Sequence, residues 1–250
     1  LKKSNPVAQD ALRVALYVDE FSQYMDVELT KSTIRTLHRL GYDLELVFGE
    51  SGRAFISKGF LKQAKSAATR MTQNLVSLLE QKVAIVGIEP SAILSFRDEY
   101  QRLISDDSIT KLLKNQTFLI EEFLSQSFEN GSLNASVFHK ETAEVKVHVH
   151  CHQKALSNTK YTFDLLNQIP NYKVSIINSG CCGMAGSFGY EKEHYEVSMK
   201  MGGLRLFKSI EKADEKTIIV ANGTSCRHQI KDGTARKAIH PIQVIEKALA

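Results

Sequence analysis

The sequence predicts an α/β protein made of two tandem domains with mainly parallel sheets, related to each other by internal duplication. In each half of the 250 residues, short apolar runs alternate with longer segments of helical period, as expected for strands joined by crossover helices. Apolar residues make up 43% of the chain and charged residues 24%, which is ordinary for a globular protein. A stretch rich in Ser, Asn and Glu without a clear period separates the halves.

The first half, residues 1–124, is predicted to contain three strands, each followed by helical sequence. Residues 13–19 form a nearly unbroken apolar run, typical of a parallel strand that is buried on both faces. Gly41 stands where a helix often closes with glycine, and Pro90 stops the third strand. The predicted elements are a polar lead-in, a strand at 13–19, a helix at 30–40, a strand at 42–48, a helix at 58–80, a strand at 83–88 and a helix at 105–122.

The second half, residues 145–250, repeats this order after a predicted linker at residues 125–144. Its strands are again short and apolar, and a glycine-rich loop replaces the connection after the second one. The predicted elements are a strand at 146–151, a helix at 161–168, a strand at 172–178, a glycine-rich loop at 180–189, a helix at 191–210, a strand at 217–221 and a helix at 240–249.

Laying one half on the other supports the duplication. Three pairs of positions match at a nearly constant offset, namely Val14 with Val147, Gly52 with Gly183, and Ala92 with Cys226. On this alignment, the cysteine positions of the second half correspond in the first half to Val18, Glu50, Ser51 and Ala92. One half therefore carries a set of sulfur ligands and the other carries none.

The overall charge and the distribution of apolar residues exclude several classes of protein. The formal net charge of +4 is too small, and too evenly spread, for a nucleic-acid-binding surface. The longest apolar run, at residues 83–88, is far shorter than the roughly 20 residues of a membrane span. The chain begins with Leu1 and has no secretory signal, so we expect a cytoplasmic piece of a larger protein whose cysteines stay reduced.

The four cysteines all follow predicted strands of the second half. Cys151 ends the first strand, Cys181 and Cys182 follow the second, and Cys226 follows the third. Because the carboxyl ends of parallel strands meet at one edge of a sheet, we expect the sulfurs to lie close together there. Four thiolates suit an iron–sulfur cluster or Zn²⁺, whereas buried structural cysteines or thiol chemistry are the alternatives.

The histidines and the first-half charges are weaker candidates. Strand alternation places His148 and His150 on the opposite face from Cys151. His152 and His228 lie near cysteines in the sequence, as ligands, as hydrogen-bond donors to the site or as surface residues. Four charged residues near strand ends of the first half are expected to form a solvated rim, a neutral network that replaces the missing metal, or a surface facing a partner: Glu50, Arg53, Glu89 and Asp98.

Specific motifs resemble a known family. The loop Gly180-Cys-Cys-Gly-Met-Ala-Gly-Ser-Phe-Gly189, with His150-Cys151-His152 before it and Asn222-Gly-Thr-Ser-Cys226 after it, is similar to the cysteine-rich "CCG" domain. The first half resembles the same domain at residues 17–21, 51–59 and 89–92. Such domains occur in pairs in glycolate oxidase iron–sulfur subunits, in the C-terminal parts of FAD-linked oxidases, and in a cysteine-rich component of heterodisulfide reductases.

The resemblance implies two Rossmann-like domains and a role in electron transfer. It implies that Cys151, Cys181, Cys182 and Cys226 hold a [4Fe–4S] cluster, or zinc in the isolated fragment. The chain would be the C-terminal iron–sulfur portion of a flavin-linked 2-hydroxyacid dehydrogenase or oxidase of the glycolate or D-lactate type. Its partners would be FAD-binding and ferredoxin-like domains or subunits, in the cytoplasm or at the inner face of the membrane. By itself, the chain would not turn over substrate.

Two departures from the family pattern limit what the resemblance implies. Fuller members end in Cys-x-x-Cys, whereas Gly223 and Gln229 occupy the possible partner positions around Cys226. The first half has no cysteine, so one cluster is expected rather than two. The alternative function is a structural or partner-docking module in which zinc, or nothing, fills the cysteine site.

Overall fold

Parallel β-sheets form the framework of the protein in the computed structural model, which describes residues 12–250. The predicted polar lead-in lies outside that range except for Leu12. The strands of the described chain are β1 (Arg13–Val18), β2 (Asp43–Phe48), β3 (Ala84–Gly87), β4 (Thr117–Leu119), β5 (Ala143–His148), β6 (Tyr172–Ile176) and β7 (Ile218–Ala221). The first four make one sheet in the order β2-β1-β3-β4, and the others make a second sheet in the order β6-β5-β7.

The two sheets share their arrangement. Every strand pair in both is parallel, and the first strand of each half lies between the second and the third. In the second half, Ile239 forms a parallel bridge to Val220 at the place that corresponds to β4. An α/β protein with parallel sheets is thus confirmed.

Helices connect the strands. They are α1 (Glu20–Tyr24), α2 (Val27–Arg39), α3 (Arg53–Ser57), α4 (Leu61–Glu80), α5 (Pro90–Ile93), α6 (Tyr100–Leu103), α7 (Asp107–Gln116), α8 (Ile120–Glu129), α9 (Cys151–Leu156), α10 (Thr159–Asn167), α11 (Tyr195–Glu211), α12 (Thr224–Thr234) and α13 (Pro241–Ala248). Among the described helices, none combines the length and the apolar character needed to cross a membrane.

One hydrophobic core joins the two halves. Val14 and Leu16 of β1 belong to the same buried cluster as Val145 and Val147 of β5. Helix α2 of the first half packs on α13 of the second, and α8 of the first packs on α10 of the second. This reciprocal packing is what a pseudo-two-fold axis between two copies would produce, although the duplication itself stays a prediction.

The helix predicted at residues 105–122 is wrong, because a strand interrupts it. The chain forms α7, then β4 at Thr117–Leu119, and then α8. Thr117 is fully buried, and its carbonyl oxygen accepts a hydrogen bond of 2.8 Å from Nε of Arg97. A β-branched and an aromatic residue at 117 and 118 favour the extended conformation, and pairing with β3 completes it.

The predicted linker at residues 125–144 is instead packed structure over much of its length. Helix α8 continues to Glu129, and Phe128 stacks on Phe138 with their ring centroids 5.6 Å apart. The buried hydroxyl of Ser127 donates to the carbonyl of Phe123 and accepts from the hydroxyl of Tyr42. The serine-rich composition suggested solvent exposure, but internal hydrogen bonds satisfy this serine. The domain division at residues 124 and 145 stays a prediction.

Candidate metal centre

Cys151 lies at the start of a helix and not in a strand. Strand β5 ends at His148, and Cys151 is the first residue of α9. The Nδ1 atom of His150 accepts a hydrogen bond of 3.1 Å from the backbone N–H of His152, which caps the helix. The predicted strand at 146–151 therefore stops three residues early, because the side chain of His150 provides a helix cap.

The glycine-rich loop brings Cys181 and Cys182 to the same edge of the second sheet. Gly183 has a φ of +105°, and a Cβ atom there would lie 2.2 Å from the carbonyl oxygen of Ser198. Only glycine fits this turn without a shift of the backbone. The turn directs the N–H of Gly183 to the sulfur of Cys181, at a distance of 3.3 Å.

Cys226 lies in the first turn of α12, a helix that the sequence patterns did not predict. Gly223 precedes the helix, and a Cβ atom there would lie 2.4 Å from Cδ2 of His150. This close approach packs the helix start against the residue that caps α9. The sulfur of Cys226 lies 3.4 Å from the sulfur of Cys182, and both residues are buried.

The four cysteines lie around one cavity edge but not in one group of close ligand atoms. Cys182 and Cys226 lie together with His148, Cys151 lies with His150 and His152, and Cys181 lines the same cavity as Cys151 and Cys182. Hydrogen bonding to Cys181, with burial, raises the pKa of Cys151, and the same contact lowers the pKa of Cys181. Contact with Cys182 likewise holds the pKa of Cys226 well below its ordinary value, and the pKa of Cys182 is raised. A metal cation would stabilise the deprotonated sulfurs, so these residues fit a thiolate-bound metal or cluster.

His148 faces the cysteines, against expectation. A ring nitrogen of His148 and the sulfurs of Cys182 and Cys226 lie within 4.8 Å of one another, and all three residues are buried. The hydroxyl of Ser179 lies 2.7 Å from Nδ1 of His148, so Nε2 is the nitrogen left for the sulfurs. The predicted placement opposite Cys151 was wrong for His150, whose Nδ1 lies 4.0 Å from that sulfur, because Cys151 leaves the strand before alternation applies to it.

The other three candidate histidines, His150, His152 and His228, divide into two groups. His150 and His152 each place Nδ1 4.0 Å from the sulfur of Cys151. Burial, followed by the charge of His150, lowers the pKa of His152 to about 4. His228, in contrast, bonds through Nδ1 to the hydroxyl of Tyr190 at 2.7 Å and does not join either described group of metal-ligating side chains.

A cavity of about 470 Å³ lies beside the sulfurs, between the two halves. Its lining combines apolar residues of the first half with cysteines of the second, including Phe21, Met25, Ala54, Cys151, Cys181 and Cys182. Cys151 is the exposed cysteine, whereas Cys182 and Cys226 are covered. A molecule or partner can therefore approach the cysteines most closely from the side of Cys151.

The four charged candidates of the first half do not form one network. Glu50 lies 3.7 Å from Arg70 and Asp98 pairs with Arg102, on the protein surface. Arg53, which lines the cavity, forms an ion pair with Glu99.

Glu89 differs from the other three candidates, because it is only 4% exposed and bonds across the boundary between the halves. The solvated-rim interpretation is therefore wrong for Glu89.

Sequence reasoning missed Asp26 and Arg227. The side chains form an ion pair of 2.6 Å between the halves, and Arg227 also donates to the carbonyl oxygens of Ala221 and Asn222. The available signal at Arg227 was its position directly after Cys226, in a segment to which the sequence patterns assigned no element. Nothing local in the sequence connects it with Asp26, which is 201 positions away.

The fold and the site define an α/β protein with cysteines and histidines gathered at a sheet edge, where their ligand atoms are close enough to hold a metal ion. No family model matches the sequence. The chain is 28% identical over 246 residues to a subunit of the anaerobic glycerol-3-phosphate dehydrogenase of Escherichia coli K12, covering 97% of this chain and 61% of that protein.

Two other relatives extend the comparison. D-2-hydroxyglutarate dehydrogenase of Pantoea ananatis is 28% identical over 240 residues, which are 95% of this chain and 22% of the relative. Lactate utilization protein A of Bacillus pumilus is 26% identical over 248 residues, which are 95% of this chain and 98% of the relative. The chain thus spans about three fifths of the glycerol-3-phosphate relative and about a fifth of the hydroxyglutarate relative. Two of these three relatives are named as dehydrogenases or dehydrogenase subunits, which supports a connection of this chain with oxidoreductases.

Proposed function

We propose that Cys151, Cys181, Cys182 and Cys226 together hold one [4Fe–4S] cluster. The observation that carries this proposal is the gathering of the cysteines at one sheet edge: Cys151, Cys181 and Cys182 line one cavity, and the sulfur of Cys226 lies 3.4 Å from that of Cys182. Four cysteine thiolates are the usual ligand set of such a cluster, which accepts and donates single electrons. The resemblance to the CCG domain, carried by the motifs around these cysteines, supports the same assignment.

The surrounding residues have defined tasks in this proposal. The N–H of Gly183 donates to the sulfur of Cys181, a contact that lowers electron density on the ligand. Burial of Cys182 and Cys226 excludes water from one side of the site. Nδ1 of His148 contacts Ser179, which leaves Nε2 on the side of these two sulfurs. Nε2 would either donate a hydrogen bond to a sulfur or bind the metal as a further ligand.

We infer that the chain is the iron–sulfur, electron-transfer portion of a flavin-linked 2-hydroxyacid dehydrogenase or oxidase system. The names of two relatives refer to hydroxyacids, hydroxyglutarate and lactate, and the chain matches only 22% of the hydroxyglutarate enzyme. FAD-binding and ferredoxin-like domains or subunits would supply the remaining steps. Glycolate or D-lactate is the type of substrate expected for the whole system, in the cytoplasm or at the inner face of the membrane.

We also propose that the two halves arose by duplication. The shared strand order and the reciprocal packing of α2 on α13 and of α8 on α10 support this origin. On that basis, each half is one Rossmann-like CCG domain, and the first has lost its sulfur ligands.

Anaerobic reconstitution with iron and sulfide tests the cluster. The protein should become brown, with iron and acid-labile sulfide in equal amounts and a broad visible absorption. Each of the variants Cys151→Ser, Cys181→Ser, Cys182→Ser and Cys226→Ser should lower the amount of cluster bound. Ser187→Ala, in the same glycine-rich loop but without a sulfur, is the matched control and should bind as the wild type does. Wild-type protein that stays colourless, with its thiols reduced, would refute the proposal.

A structural zinc module is the second candidate function. The observation that favours it is the buried group of His148, Cys182 and Cys226, whose ligand atoms lie within the 4.8 Å that a single ion requires. This candidate predicts one zinc per chain and loss of that zinc in His148→Ala. Cluster uptake in His148→Ala at the wild-type level, without zinc in either protein, would reject it.

A further inference from the structure

The helix that carries Cys226 is capped by the half of the protein that has no cysteine. Gly223 stands at the N-cap position of α12 and has no side chain with which to accept a hydrogen bond from the helix. The backbone N–H of Thr224 instead donates to Oε2 of Glu89 at 2.8 Å. Glu89 is 135 positions away and almost completely buried. A residue of the first half thus accepts a hydrogen bond from the start of α12, as the side chain of an N-cap residue ordinarily does.

Glu89 uses its other carboxylate oxygen within its own half. Oε1 accepts hydrogen bonds from the hydroxyl of Ser91 at 2.8 Å and from the backbone N–H of Ser91 at 3.2 Å. One carboxylate therefore joins the starts of α5 and α12, on opposite sides of the boundary between the halves. These hydrogen bonds fix the position of the first turn of α12 relative to α5.

Asp26 provides a second contact from the same half to the same helix. Its Oδ2 atom accepts from the hydroxyl of Thr224 and from Nη2 of Arg227, both at 2.6 Å. Arg227 in turn donates to the carbonyl oxygen of Asn222 at 2.7 Å, just after β7. The residues on either side of Cys226 are consequently fixed to the first half and to the end of the sheet.

We propose that Glu89 and Asp26 are positioning residues for the metal centre, and that Glu89 also sets the reduction potential of the centre through its negative charge. This inference rests on the proposed function for its second part only. Cys226 lies two residues after Thr224, so a change at the start of α12 moves its sulfur relative to Cys182. Glu89 lines the same cavity as Cys181 and Cys182, and a buried negative charge there disfavours addition of an electron, because reduction makes the centre more negative.

The proposal gives the cysteine-free half a role at the site. It holds no ligand, yet two of its carboxylates fix the helix that provides a buried one. Among the four charged candidates of the first half, Glu89 has this contact with α12, whereas Glu50 and Asp98 pair with arginines of their own half.

Cobalt(II) binding to the metal-free, reduced full chain tests the positioning role without an iron–sulfur cluster. Thiolate-to-cobalt absorption reports on the sulfurs, and competition with a chelator gives the affinity. Glu89→Ala should weaken cobalt binding by about tenfold, the equivalent of one lost buried hydrogen bond to a charged group. Glu89→Gln should restore part of the affinity, since its amide oxygen can still accept from the N–H of Thr224, although its NH₂ group then faces the backbone N–H of Ser91 and cannot accept from it. Asp26→Ala should also weaken binding.

The matched control is Glu122→Gln. Glu122 is likewise a buried carboxylate of the first half and pairs with Arg97, away from α12. Its cobalt affinity should equal that of the wild type. Equal affinities in Glu89→Ala, Glu89→Gln and the control would overturn the positioning role. If Glu89→Ala does not fold, Asp26→Ala carries the same test, with circular dichroism confirming that it is folded.

Potentiometry on the reconstituted protein tests the effect of charge. The midpoint potential should move to a more positive value in Glu89→Gln and stay unchanged in Glu122→Gln. An unchanged potential in Glu89→Gln would overturn this part. If wild-type protein takes up no cluster, the proposed function fails, whereas the cobalt series still decides the positioning role.

Discussion

Replacing Gly183 by alanine tests whether the glycine-rich turn holds the cysteine pair. The residue has a φ of +105°, and a Cβ atom would lie 2.2 Å from the carbonyl oxygen of Ser198, a backbone atom that cannot rotate away. Strain at such a φ costs about 1–3 kcal/mol, and forcing an extra carbon into a packed site costs a similar amount. Gly183→Ala should therefore lower the free energy of unfolding by about 3 kcal/mol or more.

Gly180 provides the matched control, because it belongs to the same loop and is likewise adjacent to a cysteine. A Cβ atom at Gly180 would meet no described atom within 4 Å, and its φ is not positive. Gly180→Ala should change the free energy of unfolding by less than about 1 kcal/mol. Urea denaturation followed by circular dichroism measures both variants, and cobalt(II) titration shows whether the sulfurs still converge. Equal stability of the two variants would refute the reasoning about the turn.

Three further predictions concern other parts of the chain. Burial raises the pKa of Glu121 from 4.5 to about 7 beside His240, so folding favours the protonated carboxyl, and this stabilisation is complete below pH 4.5 and lost as the pH rises to 7. Urea denaturation at pH 5 and pH 8 should show a loss of up to about 3 kcal/mol in the wild type and a smaller loss in Glu121→Gln; equal losses would contradict it. Tyr42→Phe, which removes the 2.9 Å hydrogen bond to Ser127, should cost about 1 kcal/mol in the same assay, whereas no change would mean that residues 125–144 are loosely held. Iodoacetamide should modify Cys151 and Cys181 of the metal-free protein before the buried Cys182 and Cys226, as peptide mass spectrometry can show, and uniform labelling would argue against the described burial.

Apolar runs predicted the sheets well, because buried parallel strands must be apolar on both faces. The six strands expected from the sequence at residues 13–19, 42–48, 83–88, 146–151, 172–178 and 217–221 all exist, with ends that differ by a few residues. Strand β4 was missed because three residues carry too little periodicity to stand out from the helices beside them. Its extended conformation depends on pairing with β3 and on Arg97, both distant in the sequence.

The candidate site was predictable to a similar extent. Strand order alone placed the cysteines at one sheet edge, and the structure brings Cys226 within 3.4 Å of Cys182. The side of the sheet on which each histidine lies could not be predicted, because it depends on the residue at which β5 ends. The helix cap formed by His150 determines that residue. The bonds from Glu89 and Asp26 to α12 lie beyond any local pattern, since they join residues that meet only after both halves have folded.

The packing of α13 on α2 has a consequence for synthesis of the chain. Glu246 accepts hydrogen bonds from Ser32 and Arg35, both at 2.5 Å, so α2 is completed by a helix that follows it after more than 200 further residues of the chain. Until residues 241–248 emerge, the apolar side of α2 has no cover. A nascent chain is therefore prone to aggregation and proteolysis until α13 has been made, and removal of residues 241–248 should have the same effect on the finished protein.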